Sequence, residues 1–313
     1  MHPLESVPNV SEGRDADVVD AVGRAFAAAG ARLLDTHVDP DHHRSVFTLV
    51  GGDRALEDGL VAGVAAARAE IDLRRHHGVH PRVGAADVVP VVPLRREDAA
   101  VAESVARAVA RRLGEELGAT VFLYGALADD RRPAFYRRDG PAALQRRIDA
   151  GEVVPAFGPT RLDPRAGAVL VGLRAPLLAF NLELQGPLES AEQVAAAVRE
   201  TSGGLRGVQA LALRLRDAVQ VSTNIVDLDA TAPHQLVERI VTEAEARGAG
   251  IGAGELVGLI PAASIVAAAA AFGVTEPVGA DGVPTDEALS VTARALRLER
   301  LEPDRVLEWH LAR

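Results

Sequence analysis

Nine histidines and 44 carboxylates are the side chains of this 313-residue sequence that can move protons near neutral pH. The sequence has no cysteine and no lysine. That removes disulfides, thiol nucleophiles, thiolate metal sites, Schiff-base lysines and the lysine of a phosphate-binding loop. All 34 basic residues are therefore arginines, whose planar fork suits carboxylates. The histidines gather in two places: His37, His42 and His43 on one turn, His76, His77 and His80 on another. His76 and His80 have a spacing that can bind a metal on a helix, but Gly78 and Pro81 end the helix there. No adjacent Glu of the zinc-protease type follows. His80 lies in Gly78-Val79-His80-Pro81-Arg82-Val83-Gly84, a glycine-bracketed loop leading into a strand that contains Asp87. Such a loop holds a side chain at a defined angle, which reads as a general acid or base; a surface histidine in a turn is the plainer alternative.

The elements that must position these groups alternate between strand and helix. Residues 4–8 form a short apolar stretch, and Asp15 is placed to cap a helix with Val18, Val22 and Phe26 on one stripe. Strands are expected over 32–38 and 44–50, a helix from Asp53 through Ile71, and a strand over 88–92. Pro90 favours an edge position or a bulge for that strand. The order strand, helix, strand, strand, helix, strand is the split βαβ arrangement. In that arrangement the two histidine turns need not lie at the same end of the sheet.

The same order recurs over 177–260. A strand is expected at 177–184, and Ser190 with Gln193 reads as a capping-box helix start. Strands at 208–215 and 218–226 are joined at Arg216-Asp217, and a helix opens near Thr231 and Pro233. Residues 256–260 supply the fourth strand. The glycine run 248–254 reads as a loop, because it follows a helix and precedes a strand, the reverse of a dinucleotide fingerprint. The expected fold class is α/β (α+β). It consists of two tandem subdomains of ferredoxin-like element order, residues 1–176 and 177–313, forming layered α/β sandwiches.

Between the two patterns lie a helix bearing Val101, Val105, Val109 and Leu113, a strand at 120–124, and an irregular segment from 126 to about 165. That segment has a helix near 141–150 and carries Arg131, Arg132, Arg137, Arg138, Arg146, Arg147, Arg161 and Arg165. They fit either a solvated face or carboxylate recognition. The net charge of −10 argues against a nucleic-acid-binding surface, and no apolar run is long enough for a membrane span. The start, Met1-His2-Pro3-Leu4-Glu5, lacks a secretory pattern, so a cytoplasmic protein is expected.

Several longer motifs add what spacing cannot. Val7-Pro8-Asn9-Val10-Ser11-Glu12-Gly13-Arg14, Asp41-His42-His43-Arg44-Ser45-Val46-Phe47-Thr48-Leu49-Val50-Gly51, and Ile71-Asp72 with residues 76–88 resemble successive signatures of the formiminotransferase family. Further matches are Tyr124-Gly125, Phe157-Gly158-Pro159, Ala179-Phe180-Asn181, Gln220-Val221-Ser222-Thr223-Asn224 and residues 256–261. The resemblance implies a two-subdomain α/β fold, usually a homodimer, with a groove carrying folate. It implies transfer of the formimino group from N-formimino-glutamate to tetrahydrofolate, a co-substrate, in histidine degradation, with no metal. The family's catalytic histidine, the one before Pro-Arg, falls on His80. Its folate-binding segment falls on Gly158-Pro159-Thr160-Arg161-Leu162-Asp163-Pro164-Arg165-Ala166-Gly167. Asn9, Arg44, Arg82 and Asp87 are the expected groove residues, with Arg44 and Arg82 as carboxylate anchors. A stand-alone transferase without the family's second, cyclodeaminase domain is expected, with small-molecule substrates and no nucleic-acid or membrane partner. His43, Val79, Ala86 and Glu183 depart from the family's usual residues. The alternatives are a related folate-dependent formyl or formimidoyl transferase with another donor or acceptor, a non-catalytic folate-binding homologue, and a histidine metal site.

Overall fold

The computed structural model describes residues 3–313, so the first two residues of the expected N-terminal subdomain and secretory reading lie outside the described residues. The chain divides into two units between Ala175 and Pro176. The first opens with β1 (Leu4–Ser6) and β2 (Asn9–Val10), then α1 (Ala16–Ala27), β3 (Arg32–Asp39), β4 (Arg44–Gly51), α2 (Asp53–Glu70) and β5 (Ala86–Pro93). The Asp15 carboxylate caps α1 by accepting the N–H groups of Asp17 and Val18. Phe26 and Val22 of α1, with Leu56, Leu60 and Val64 of α2, are fully buried against Phe47 and Leu49 of β4. The apolar residues at helical spacing are thus what seat both helices on one face of the sheet.

The strands pair in the order β3, β4, β1 with β2, β5, all antiparallel. This is the split βαβ topology. After α3 (Ala99–Glu115) the sheet is extended in parallel by β6 (Thr120–Gly125) and β7 (Ala168–Leu173), with β7 between β5 and β6. Pro90 therefore lies in a central strand, not at an edge. Its position opposite the break between β1 and β2 explains how that is tolerated. The ladder is interrupted at Val7-Pro8 and shifts register between Asn9 and Val10. The missing N–H thus falls where no regular partner exists.

Between β6 and β7 the expected irregular segment contains α4 (Pro133–Arg137) and α5 (Gly140–Asp149). These cover the sheet's other face through a second small core of Tyr136, Leu144 and Ile148 against Phe122, Tyr124 and Leu170. Tyr136 donates its hydroxyl to the Leu123 carbonyl at 2.8 Å. The docking of that one aromatic residue fixes where its neighbour Arg137 must point.

The second unit repeats the topology. It runs β8 (Leu178–Gln185), α6 (Leu188–Val198), β9 (Val208–Arg214), β10 (Val219–Ile225), α7 (Pro233–Glu245) and β11 (Gly250–Val257), with strand order β11-β8-β10-β9. Then come α8 (Ala262–Ala271), α9 (Asp286–Ala295) and α10 (Leu307–Leu311). Two expectations change here. Helix α6 begins two residues before Ser190, at Leu188. Its N-cap is Pro187, which makes no side-chain cap; a proline at that point already holds the entry backbone extended. From Gly250 on, the glycine run belongs to an edge strand and not a loop, and the fourth strand ends at Val257. A β-carbon on Gly254 would lie 2.1 Å from the Leu296 carbonyl oxygen, and the Gly254 N–H donates to Arg297 at 2.9 Å. Glycine is there to let the strand approach that turn. No helix among the described residues is long and apolar enough to cross a membrane.

Candidate functional site

The two histidine groups, far apart in sequence, meet in the first unit. His37 is not on the turn but within β3. His42 and His43 are on the turn between β3 and β4, and both are buried. His80 lies on the segment joining the 3-10 turn Leu73–Arg75 to β5. The rings of His43 and His76 stack with centroids 4.0 Å apart, and those of His42 and His80 are 5.8 Å apart.

That segment is tied down along its length. His76 uses both ring nitrogens: Nε2 is 2.7 Å from the His43 carbonyl and Nδ1 accepts the Gly78 N–H at 3.2 Å. A carbonyl only accepts, so the proton sits on Nε2. The Val79 N–H donates to the Asp41 carbonyl at 3.3 Å. Arg82 donates to the carbonyls of His76, Gly78 and His80 at 3.0, 3.1 and 3.2 Å. Arg82, expected as a carboxylate anchor near the groove, thus also clamps its own loop. On the other side, Glu12 Oε1 meets His43 Nε2 at 3.0 Å and accepts the N–H groups of Gly13, Arg14 and Asp15. Burial opposes the Glu12 charge, but these donors outweigh it and hold the carboxyl below its ordinary value.

Burial pushes His76 down to about 4. The unfolded chain then takes up the proton first, near the ordinary histidine value, so stability is whole above about pH 6.5 and is lost as the pH falls toward 4. We expect this group to account for roughly 3 kcal/mol of acid loss. Urea unfolding at pH 7 and pH 5 should show a larger drop for the parental chain than for His76→Gln. Equal drops would contradict the assignment.

At the base of the site, Asp87 is fully buried at the start of β5. Its Oδ1 accepts the Val83 N–H at 2.8 Å, while Oδ2 receives Arg44 at 2.9 Å and Arg137 at 2.6 Å. The Arg44 Nε donates to Asn9 Oδ1 at 3.0 Å. Asn9, Arg44 and Asp87, expected as groove residues, therefore form one network, joined by an arginine that the sequence did not single out. Burial opposes the Asp87 charge, but Arg137 and Arg44 outweigh it and keep the carboxyl below its ordinary value. Burial pushes Arg44 down to about 10 against the pull of Asp87. Two guanidiniums on one carboxylate leave an excess of positive charge in a desolvated place.

His80 feels that excess. Burial first, then the Arg44 and Arg137 charges, drive its pKa well below the ordinary value. Its Nδ1 is 2.8 Å from the Pro81 carbonyl, which places the proton there and leaves the lone pair on Nε2. The result is a neutral imidazole able to accept a proton.

The segment 158–167 runs alongside. The Arg165 carbonyl accepts the Leu73 N–H, the Ala166 carbonyl accepts the Ala85 N–H, and the Ala168 N–H donates to Val83. Gln145 holds the Thr160 carbonyl and the Leu162 N–H. Asp163 caps Arg165 and Ala166 at the far end. Gly158, Pro159, Thr160 and Arg161 are exposed, as are Asp163, Pro164 and Arg165, whereas Gly167 is buried against Val83. The two segments that flank the His80 loop are thus laced to this one. Gly84 sits at the junction, bridged to Gly167. A β-carbon on it would lie 1.8 Å from the Ala168 carbonyl oxygen. Gly84→Ala is expected to cost about 1–3 kcal/mol, read by urea unfolding; an unchanged midpoint would mean the two segments can part freely.

In the second unit, Asn181 of β8 and Gln220 of β10 donate to the same Glu255 oxygen of β11 at 2.9 and 3.1 Å. Among the described residues, no group of three or more His, Asp or Glu side chains is arranged to hold a metal ion.

Comparison with known proteins covers both units. Residues 3–174 match the model of the formiminotransferase domain, N-terminal subdomain, and residues 179–307 match that of the formiminotransferase domain. The chain is 37% identical over 275 residues to a glutamate formimidoyltransferase of Thermoplasma acidophilum, covering 85% of this chain and 90% of that protein. It is 34% identical over 270 residues to a glutamate formimidoyltransferase of Streptococcus pyogenes serotype M1, covering 84% and 90%. It is 38% identical over 282 residues to a formimidoyltransferase-cyclodeaminase of Sus scrofa, 86% of this chain. The chain spans 52% to 59% of the length of the mammalian relatives it matches.

Proposed function

The chain belongs to the formiminotransferase family, and on that premise we propose that it transfers a formimidoyl group from N-formimidoyl-L-glutamate to tetrahydrofolate, with His80 as general acid and base. The observation that carries the chemistry is the His80 imidazole, neutral and with its Nδ1 committed to Pro81, beside the Arg44–Asp87–Arg137 cluster. The attacking ring nitrogen of the folate must lose a proton as it bonds to the formimidoyl carbon. A neutral Nε2 takes it. In the simplest cycle His80 then returns a proton to the departing glutamate nitrogen.

Both substrates carry carboxylates, which the excess positive charge of Arg44 and Arg137 suits. Asn9 and Asp87 orient those guanidiniums, and Arg82 holds the loop. Segment 158–167 is proposed as the folate-binding element, with the exposed Arg161 available to a carboxylate. The proposed working form is a cytoplasmic homodimer acting in histidine degradation.

An assay with tetrahydrofolate and formimidoyl-glutamate tests the reading. Formation of formimidoyl-tetrahydrofolate with release of one glutamate per turnover is expected. Tight folate binding without transfer from this donor would overturn it.

A further inference from the structure

In the simplest cycle His80 takes the folate proton and returns it to glutamate in sequence, but an imidazole that rests neutral cannot donate one proton while it is accepting another. The glutamate nitrogen must nevertheless gain a proton as it departs. A second imidazole stands 5.8 Å from His80, ring centre to ring centre, and has the arrangement of a donor.

That imidazole is His42, 7% exposed. Its Nδ1 faces Asp39 Oδ2 at 3.3 Å. Asp39 is itself fixed, since its Oδ1 accepts the N–H groups of Asp41 and His42, both at 2.8 Å. The other ring nitrogen, Nε2, is buried and has no hydrogen-bond partner. An unpaired buried polar atom costs free energy, and a carboxylate-oriented imidazole with one nitrogen left over is the arrangement of an acid–base dyad. Asp39 from its own turn and His80 from the facing loop both approach the His42 ring. Arg44 and Arg137 act on His80.

We infer that His42, oriented by Asp39, is a second proton-transfer residue of this site and takes the acid role opposite His80. The inference rests on the proposed formimidoyl transfer. The folate nitrogen bonds to the formimidoyl carbon and gives its proton to His80 Nε2. The bond from that carbon to the glutamate nitrogen breaks, its electron pair going to the nitrogen, which takes a proton from His42 Nε2. Asp39 supplies the counter-charge while His42 is protonated. One proton passing from His80 to His42, through a water in the gap, restores both groups. A carboxylate beside one imidazole and two guanidiniums acting on the other thereby divide acid from base.

His42→Gln keeps a neutral polar side chain without a titrating proton. Its kcat is expected to fall roughly a hundredfold, with KM for both substrates within about threefold. A fall in kcat with KM preserved is a split that a purely structural role would not give. A kcat within about twofold of the parental value overturns the inference. A second measurement does not depend on turnover. Long-range proton–nitrogen NMR of the parental chain should find neutral His42 protonated on Nδ1, and Asp39→Asn should change that signal. A proton on Nε2 overturns the dyad. Absence of any transfer by the parental chain overturns the proposed function instead, while the tautomer still decides the dyad.

Discussion

Replacing His80 with alanine is expected to lower turnover by roughly two to four orders of magnitude, while tetrahydrofolate affinity stays within a few-fold of the parental chain. The size follows from the role proposed for the side chain. Removing the acceptor leaves the proton of the attacking nitrogen to water, which the transition state then has to recruit. The loop itself should survive, because it is held by the His76 ring and by Arg82 rather than by His80. The His80 side chain's hydrogen bond reaches only the neighbouring Pro81 carbonyl. Turnover within about threefold of the parental chain would remove His80 from the chemistry. A fall in folate affinity matching the fall in turnover would make it a binding residue instead.

The second large effect is on stability. Asp87→Ala is expected to destabilise the first unit by about 3–5 kcal/mol, measured by denaturant unfolding. Asp87 is fully buried and receives two guanidiniums, so its loss leaves Arg44 and Arg137 facing each other without compensation and orphans the Val83 N–H. Arg137→Met is the contrasting variant. It leaves Arg44 and Asp87 as a neutral pair, and its cost should be clearly smaller. Equal costs would mean that packing, not charge, holds the cluster. Because the folded Asp87 carboxyl is held below its ordinary value, its contribution is whole above about pH 4 and is lost as the pH falls through the folded value. The acid transition of Asp87→Ala should therefore be flatter than that of the parental chain below pH 4.

Local rules carried much of this molecule. The stripe of Val22 and Phe26, the Asp15 cap and the apolar spacing of α2 and α3 each specify an element without help from the rest of the chain. Element order then fixes the two split βαβ units, since few topologies accommodate it. What local rules missed depends on a distant partner. Pro90 reads as either an edge or a bulge residue, and only the break at Val7-Pro8 opposite it decides for an irregularity inside the sheet. The glycine run reads as a loop until Leu296 and Arg297 are seen to press on Gly254.

The site divides the same way. His80 was legible from its glycine-bracketed loop and from the family signature. That His42 and His43 stand against His80 and His76 was not, because it takes the whole sheet to bring two turns together. Arg137 carried no signal among eight arginines; only the docking of Tyr136 on the sheet brings it to Asp87. The sequence placed Arg82 at this loop but did not show its hold on the loop's carbonyls, since which carbonyls a guanidinium meets is decided by backbone turns and not by residue type.

The central claim, that this chain moves a formimidoyl group between glutamate and folate by way of His80, is tested most directly by following a carbon-13-labelled formimidoyl group by NMR. Parental and His80→Ala chains would be compared at equal, saturating concentrations of donor and tetrahydrofolate. The expected result is a labelled carbon that leaves glutamate and appears on the folate with the parental chain, and stays on glutamate over the same time with His80→Ala. Label that stays on glutamate in both, or moves equally fast in both, would contradict the account.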